Sequence, residues 1–191
     1  MSLCTRSFSL LVALLLGACT SSSPHRPVVA SGAAVPDMTR IYRAGDIYFA
    51  GQPDVARFEQ LRDLGVRTVI NLRSAREMTE LAEAEQDALD QITVLRDLGL
   101  HYVHIPLGGN DGYNPTHVQA FAAAIEAASG PVLVHCASGA RARVMWQAYL
   151  VTYRGYTLDE AVEITRTLGD NPYPIEQLLG RRLRQRPAGR L

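Results

Sequence analysis

Hydrophobic positions along the chain alternate between two rhythms. Short apolar runs mark strands: Ile41-Tyr42 and Ile47-Tyr48-Phe49 around a turn at Ala44-Gly45-Asp46, then Val66 to Leu72, His101 to Ile105, and Val132 to His135. Between them the spacing lengthens to three and four, the mark of a helix with one buried face. Val55, Phe58, Leu61 and Leu64 carry the first such stripe, with Pro53 suited to its first turn and Gly65 to its C-cap. Met78 to Leu98 reads as a long helix with Glu80, Glu83 and Glu85 early and Arg96 late, the sense the helix dipole favours. Pro115 opens another helix, with Val118, Phe121, Ala122 and Ile125 inward. Val144 to Leu150 forms a fourth. Thr157-Leu158-Asp159-Glu160 is a capping-box signature ahead of Val162, Ile164 and Leu168, and Asn171-Pro172-Tyr173-Pro174 starts a last helix through Leu178-Leu179.

Strands alternating with helices predict an α/β domain with a central, mostly parallel sheet flanked by helices. Ligands of such sheets bind beyond the carboxyl ends of the strands. At one such end stands His135-Cys136-Ala137-Ser138-Gly139-Ala140-Arg141, a tight loop running into a helix. The first N–H groups of a helix lack intrahelical acceptors and form an anion cradle. A cysteine in that cradle is predicted to react as thiolate, and Arg141 supplies a planar fork of donors matched to phosphate or sulfate oxygens. This predicts a thiolate nucleophile acting on a bound oxyanion ester.

The N-terminus reads as an address. Phe8 to Leu16 is an apolar run too short to span a bilayer, and Leu16-Gly17-Ala18-Cys19 resembles the bacterial lipobox, in which the cysteine becomes the lipid-modified first residue. The expected organisation is a lipoprotein signal peptide at 1–18, a flexible tether at 19–39 rich in Ser, Pro, Ala and Gly, a catalytic domain at 40–180 and a basic tail at 181–191. Cys19 is the expected lipidation site. Thr20 after it resembles lipoproteins passed to an outer membrane, so the expected location is the periplasmic side of a bacterial membrane. With Cys4 removed and Cys19 acylated, Cys136 is left as the free thiol. Composition narrows the partners: the formal net charge is +0, which offers no pull toward nucleic acid.

The motifs also carry a family resemblance. His135 to Arg141 resembles the signature loop of cysteine-dependent phosphatases, and Leu61-x-x-Leu64-Gly65-x-x-Thr68-Val69-Ile70-Asn71-Leu72-Arg73 resembles the helix–strand segment upstream of it in dual-specificity phosphatases. The closer resemblance is to the bacterial beta-lactamase-hydrolase-like phosphatases of the protein tyrosine phosphatase superfamily. It is carried by Gly51-Gln52-Pro53, Val69-Ile70-Asn71-Leu72-Arg73, His104-Ile105-Pro106, Pro115-Thr116 and a shortened Cys–Arg loop, over Ile41 to Leu168. The resemblance implies hydrolysis of a phosphorylated protein or small phosphomonoester through a phosphocysteine on Cys136. Arg141 would clamp the phosphoryl oxygens, with the loop of Ala137, Ser138, Gly139 and Ala140 completing the cradle. His135 would support the cysteine, and Asp111, in the Gly-rich loop after a strand, would be the general acid. No cofactor is implied, and no metal: His101, His104 and His117 lack metal-ligand spacing.

Two departures keep a rival in view. Four residues separate Cys136 from Arg141 where the common loop has five, and Ala142 stands where a Ser or Thr usually follows the arginine. The shorter loop is also that of rhodanese sulfurtransferases, which carry a persulfide on the cysteine, and a weakly active anion-binding module is the third reading. His135 and Asp111 favour the phosphatase. For Gln52, Asn71 and Arg73, hydrogen bonding at strand ends is the expectation; Arg143 faces either solvent or the loop mouth.

Overall fold

A computed structural model describes residues 32–84, 91–169 and 174–182. Among them, six strands form one sheet: β1 (Ala33–Ala34), β2 (Tyr42–Ala44), β3 (Ile47–Ala50), β4 (Thr68–Asn71), β5 (His101–His104) and β6 (Val132–His135), in the order β1-β2-β3-β6-β4-β5. The four strands β3, β6, β4 and β5 are parallel, and β1 and β2 extend the sheet antiparallel beyond β3. The mostly parallel sheet expected from the alternation of strand and helix is therefore present, flanked by α1 (Val55–Asp63), α2 (Ala75–Ala84), α3 (Gln91–Asp97), α4 (Pro115–Ala127), α5 (Ala140–Tyr153), α6 (Leu158–Ile164) and α7 (Ile175–Leu179).

Strand geometry divides the side chains between two cores. Phe49, Ile70, Val132 and Val134 project into one core, shared with residues of α4, α5, α6 and α7. Tyr48, Val69 and Leu133 project into the other, with Phe58 and Leu61 of α1 and Leu95 of α3. Both faces are covered, which is why the strands read as nearly continuous apolar runs. A fully buried Leu such as Leu133 contributes about 1.5–3 kcal/mol by leaving water.

Helix α5 is the hub of the larger core. Every residue from Arg141 to Leu150 is buried, because α4, α6 and α7 pack around it while β3 and β6 lie beneath. Trp146 meets Phe49 edge-on at 5.7 Å and stacks on Tyr149 at 5.1 Å, and Phe121 of α4 meets Tyr149 edge-on at 5.7 Å. The one uncharged polar side chain in that buried run, Gln147, donates to Thr165 Oγ1 at 2.7 Å, so its burial is compensated.

Two boundaries differ from the sequence reading. The tether expected to run to residue 39 ends sooner: β1 pairs with β2, and the Gly32 N–H donates to the Ile164 carbonyl at 3.0 Å. Its small residues suit close strand pairing as well as they suit a linker. The stretch expected as a helix from Met78 begins earlier, at Ala75; α2 and α3 lie within it, and residues 85–90 are outside the described set. The last helix follows Pro174 and runs Ile175–Leu179, as expected; Asn171, Pro172 and Tyr173 lie outside the described residues, as do the segment expected to be a signal peptide, Cys4, Cys19 and the end of the tail. No helix among the described residues is long and apolar enough to cross a membrane.

Candidate active site

Parallel register levels the strand ends. Ala50, His135, Asn71 and His104 are partners across the sheet. The residues that follow them, Gly51, Cys136, Leu72 and Ile105, therefore lie along one carboxyl edge. Cys136 occupies the central place, at the end of β6 between β3 and β4.

The loop after Cys136 turns because Gly139 adopts φ 95°, ψ −16°, a left-handed conformation that costs a glycine nothing and a residue with Cβ a great deal. The turn brings the Gly139 N–H to 3.1 Å from Cys136 Sγ, a donor aimed at the sulfur. The Arg143 N–H, bonding to the Gly139 carbonyl at 3.1 Å, makes the first helical hydrogen bond of α5, so the turn before it presents donors toward the loop. Cys136 is fully buried, whereas Ala137 and Ser138 are exposed above it.

The loop is braced from β3. Gln52 N–H donates to the Ala137 carbonyl at 3.0 Å. A Cβ on Gly51 would lie 2.9 Å from that same oxygen, so glycine is needed for the approach. Gly51-Gln52-Pro53 thus acts on the cysteine loop through its backbone, while Pro53 leads into α1, whose first turn Asp54 caps at 2.8 Å.

Arg141 is buried and doubly committed on its far side. Its terminal nitrogens take both oxygens of Glu77, at 2.5 and 2.6 Å, and Nη1 also donates to the Leu107 carbonyl at 2.8 Å. This fork-on-fork geometry fixes the guanidinium plane. The Arg141 guanidinium holds the Glu77 carboxyl well down, at about 2, against the cost of partial burial. Glu77 was not among the residues the sequence singled out. Its signal was present: Ser74-Ala75-Arg76-Glu77 is a capping-box pattern, and Glu77 accepts from both the backbone N–H and the hydroxyl of Ser74 at 2.8 Å.

Asp111 lies in a 3-10 turn, Gly109–Asp111, between β5 and α4. One of its carboxylate oxygens accepts from the Ala75 N–H at 2.8 Å and so ties this loop to the start of α2, the helix that carries Glu77. The same loop passes over Arg141: a Cβ on Gly108 would stand 3.7 Å from Arg141 Cδ.

His135 is buried beneath the loop, edge-on to Phe58 at 6.0 Å, with Nε2 3.3 Å from the Gln91 amide nitrogen. Burial, reinforced by the nearby Arg73, His104 and Arg141, pushes its imidazole down to about 3, so it is neutral at ordinary pH. Asn71 behaves as a strand-end residue: Oδ1 accepts from the Arg73 N–H at 2.9 Å and Nδ2 donates to the Tyr102 hydroxyl at 3.1 Å. Gln52 accepts from Arg73 Nη1 at 3.3 Å. Arg143 is buried, so solvent is not where it points. His117 completes the Asn114 cap of α4 and is accounted for there.

The mostly parallel sheet and the cysteine loop at its carboxyl edge belong to a phosphatase-like domain. Residues 42–150 match the family described as "Beta-lactamase hydrolase-like protein, phosphatase-like domain", and the chain belongs to that family. It is 36% identical over 99 residues to a beta-lactamase hydrolase-like protein of Xylella fastidiosa (strain Temecula1), a match spanning 51% of this chain and 21% of that relative. The matched segment thus spans about a fifth of the relative's length. Among solved structures, a Neisseria meningitidis Z2491 protein provisionally described as a phosphatase superposes with TM-score 0.51 at 27% identity, covering 65% of this chain and 84% of that one. P. aeruginosa TpbA in complex with pTyr superposes with TM-score 0.53 at 21% identity, covering 74% and 82%.

Proposed function

We propose that the protein is a cysteine-dependent phosphomonoester hydrolase of the tyrosine or dual-specificity type. The observation that carries this reading is the loop from Cys136 to Arg141, with a backbone donor on the sulfur and an arginine held rigid by Glu77. In this reading the Cys136 thiolate attacks phosphorus; the S–P bond forms as the P–O ester bond breaks. Asp111 gives its proton to the departing oxygen. A water activated by Asp111 then attacks phosphorus, the S–P bond breaks, and inorganic phosphate leaves. Arg141 and the N–H groups of Ala137, Ser138, Gly139 and Ala140 stabilise the charge on the phosphoryl oxygens. Glu77 is a positioning residue for Arg141, and His135 supports the cysteine from below.

The lipobox pattern supports a further part of the reading: acylation at Cys19, holding the domain at the periplasmic side of a bacterial membrane. Mass spectrometry of the mature N-terminus is expected to find acyl chains on Cys19, and an unmodified residue there would overturn the anchoring.

The activity is tested by comparing aryl phosphate hydrolysis with sulfur transfer from thiosulfate to cyanide, on tether-free protein and its Cys136→Ser variant. Hydrolysis is expected, falling at least about a thousandfold in the variant. Sulfur transfer alone would replace the phosphatase with the sulfurtransferase. Asp111→Asn keeps an oxygen for the Ala75 N–H yet has no proton to give, so esters with poor leaving groups are expected to slow most; an unchanged rate would remove Asp111 from the reaction.

A further inference from the structure

The cysteine loop has two flanks. On the β4 and β5 side stand Glu77, Arg141 and the loop carrying Asp111. On the β3 side lies an open cleft of about 240 Å³, walled by Ala137 and Ser138 of the loop itself and by Arg40, Asp54 and Arg57. A second cavity of about 130 Å³ adjoins Arg40 and reaches Ser138 and Gly139. None of the residues expected to act on the scissile phosphate explains these guanidinium groups.

Arg40 is held in place by its backbone. The turn between β1 and β2 is closed by hydrogen bonds from Val35 N–H to the Ile41 carbonyl (2.9 Å), Met38 N–H to the Val35 carbonyl (3.2 Å) and Ile41 N–H to the Met38 carbonyl (3.3 Å). Within it Arg40 adopts φ 61°, a left-handed conformation that glycine or asparagine would adopt more cheaply. A long cation is thus set at a strained position beside the cysteine loop, on a turn outside the segment that matches the family. Arg57 stands opposite on α1, half-buried, with Nη1 on the Gln60 side chain at 3.0 Å. Asp54 is the one carboxylate among the lining residues, and it is turned to cap α1 through the Arg57 N–H. Two guanidinium groups against one carboxylate leave the cleft positive.

We propose that this cleft is a second anion subsite, which receives a carboxylate or phosphate of an acidic phosphopeptide while the cysteine loop holds the scissile phosphate. The inference rests on the phosphatase reading above and adds the substrate's character to it. The apolar side chains of the wall are Ile41, Ala50, Pro53 and Ala137, too little to seat an acyl chain, which favours a peptide over a lipid phosphate.

The test compares three phosphotyrosine peptides: one flanked by acidic residues, one doubly phosphorylated, and one with the acids replaced by amides. Wild-type protein is expected to prefer the first two over the third by about tenfold in kcat/KM, a preference that shrinks as salt is raised. Arg40→Gly, which suits the left-handed backbone, and Arg57→Gln are each expected to reduce the preference, and the double variant to abolish it. Preference for the doubly phosphorylated peptide alone would assign the cleft to phosphate, and equal preference to either anion. No preference, or one that survives both substitutions, overturns the inference. Calorimetric binding of the same peptides to the Cys136→Ser protein tests the subsite without turnover. If wild-type protein hydrolyses no phosphate ester, the phosphatase reading falls, while Arg40-dependent binding of the acidic peptide still decides the subsite. Arg40-dependent binding to phosphoinositide vesicles with no peptide preference would overturn the peptide assignment.

Discussion

Arg141 and Glu77 show how a single charge pair shapes both chemistry and stability. The guanidinium is buried and the carboxylate about a quarter exposed, so removing the carboxylate strands a cation in a poorly solvated place. Glu77→Gln is expected to weaken the affinity for inorganic phosphate and vanadate about tenfold and to lower kcat/KM in parallel, with Cys136 still reactive toward alkylating agents. Unchanged affinity would remove Glu77 from the positioning of Arg141. The same residues set the pH dependence of stability. Folded Glu77 titrates at about 2 against an ordinary 4.5, and folded His135 at about 3 against an ordinary 6.5. In both cases the unfolded chain takes up the proton first as pH falls, so stability is lost on acidification. The His135 contribution declines from about 6.5 toward about 3, and the Glu77 contribution from about 4.5 toward about 2. Denaturant midpoints are expected to drop steadily from about pH 7 to about pH 4, and Glu77→Gln to flatten the acidic part. A flat profile in the parent protein would contradict the buried, neutral His135.

At the scale of elements, the site is two strand-to-helix loops leaning on each other. The loop after β3 reaches the loop after β6 through Gly51 and Gln52, and the contact leaves no room for a side chain at Gly51. Gly51→Ala is expected to cost about 1–3 kcal/mol and to lower kcat/KM by shifting Ala137 and the donors beside it. Wild-type stability and turnover would show that the loops do not depend on one another. These elements were largely legible in the chain. Apolar runs bounded by turn residues located five of the strands, most plainly β3, β4 and β6, which are buried along their whole length. β1 was not legible: two alanines in a Ser/Pro/Ala-rich stretch carry no periodicity, and only pairing with β2 makes them a strand. The cysteine loop was legible from Cys136, Gly139 and Arg141, whose chemistry is local. Glu77 was harder to see, since its partner Arg141 is distant in sequence and only the fold joins them. Arg40 and Arg57 gave no signal at all, for the cleft exists only once the β1–β2 turn meets α1.

At the scale of the molecule, the parallel sheet concentrates the functional groups at one edge and leaves the opposite edge to connections. The register of Ala50, His135, Asn71 and His104 levels four strand ends, so loops far apart in sequence converge on Cys136. Charge is arranged in the same way: formal net charge is +0 overall, yet guanidinium groups gather on both flanks of the cysteine loop. The proposed phosphatase chemistry stands or falls on a covalent phosphoryl group at Cys136. The direct measurement is rapid acid quench of the protein during turnover of an aryl phosphate, followed by mass spectrometry of the peptide containing Cys136. A transient gain of one phosphoryl group on that peptide is expected, absent in Cys136→Ser and longer-lived in Asp111→Asn. Sustained turnover with the peptide never modified, or a persulfide found on Cys136 in its place, would contradict it.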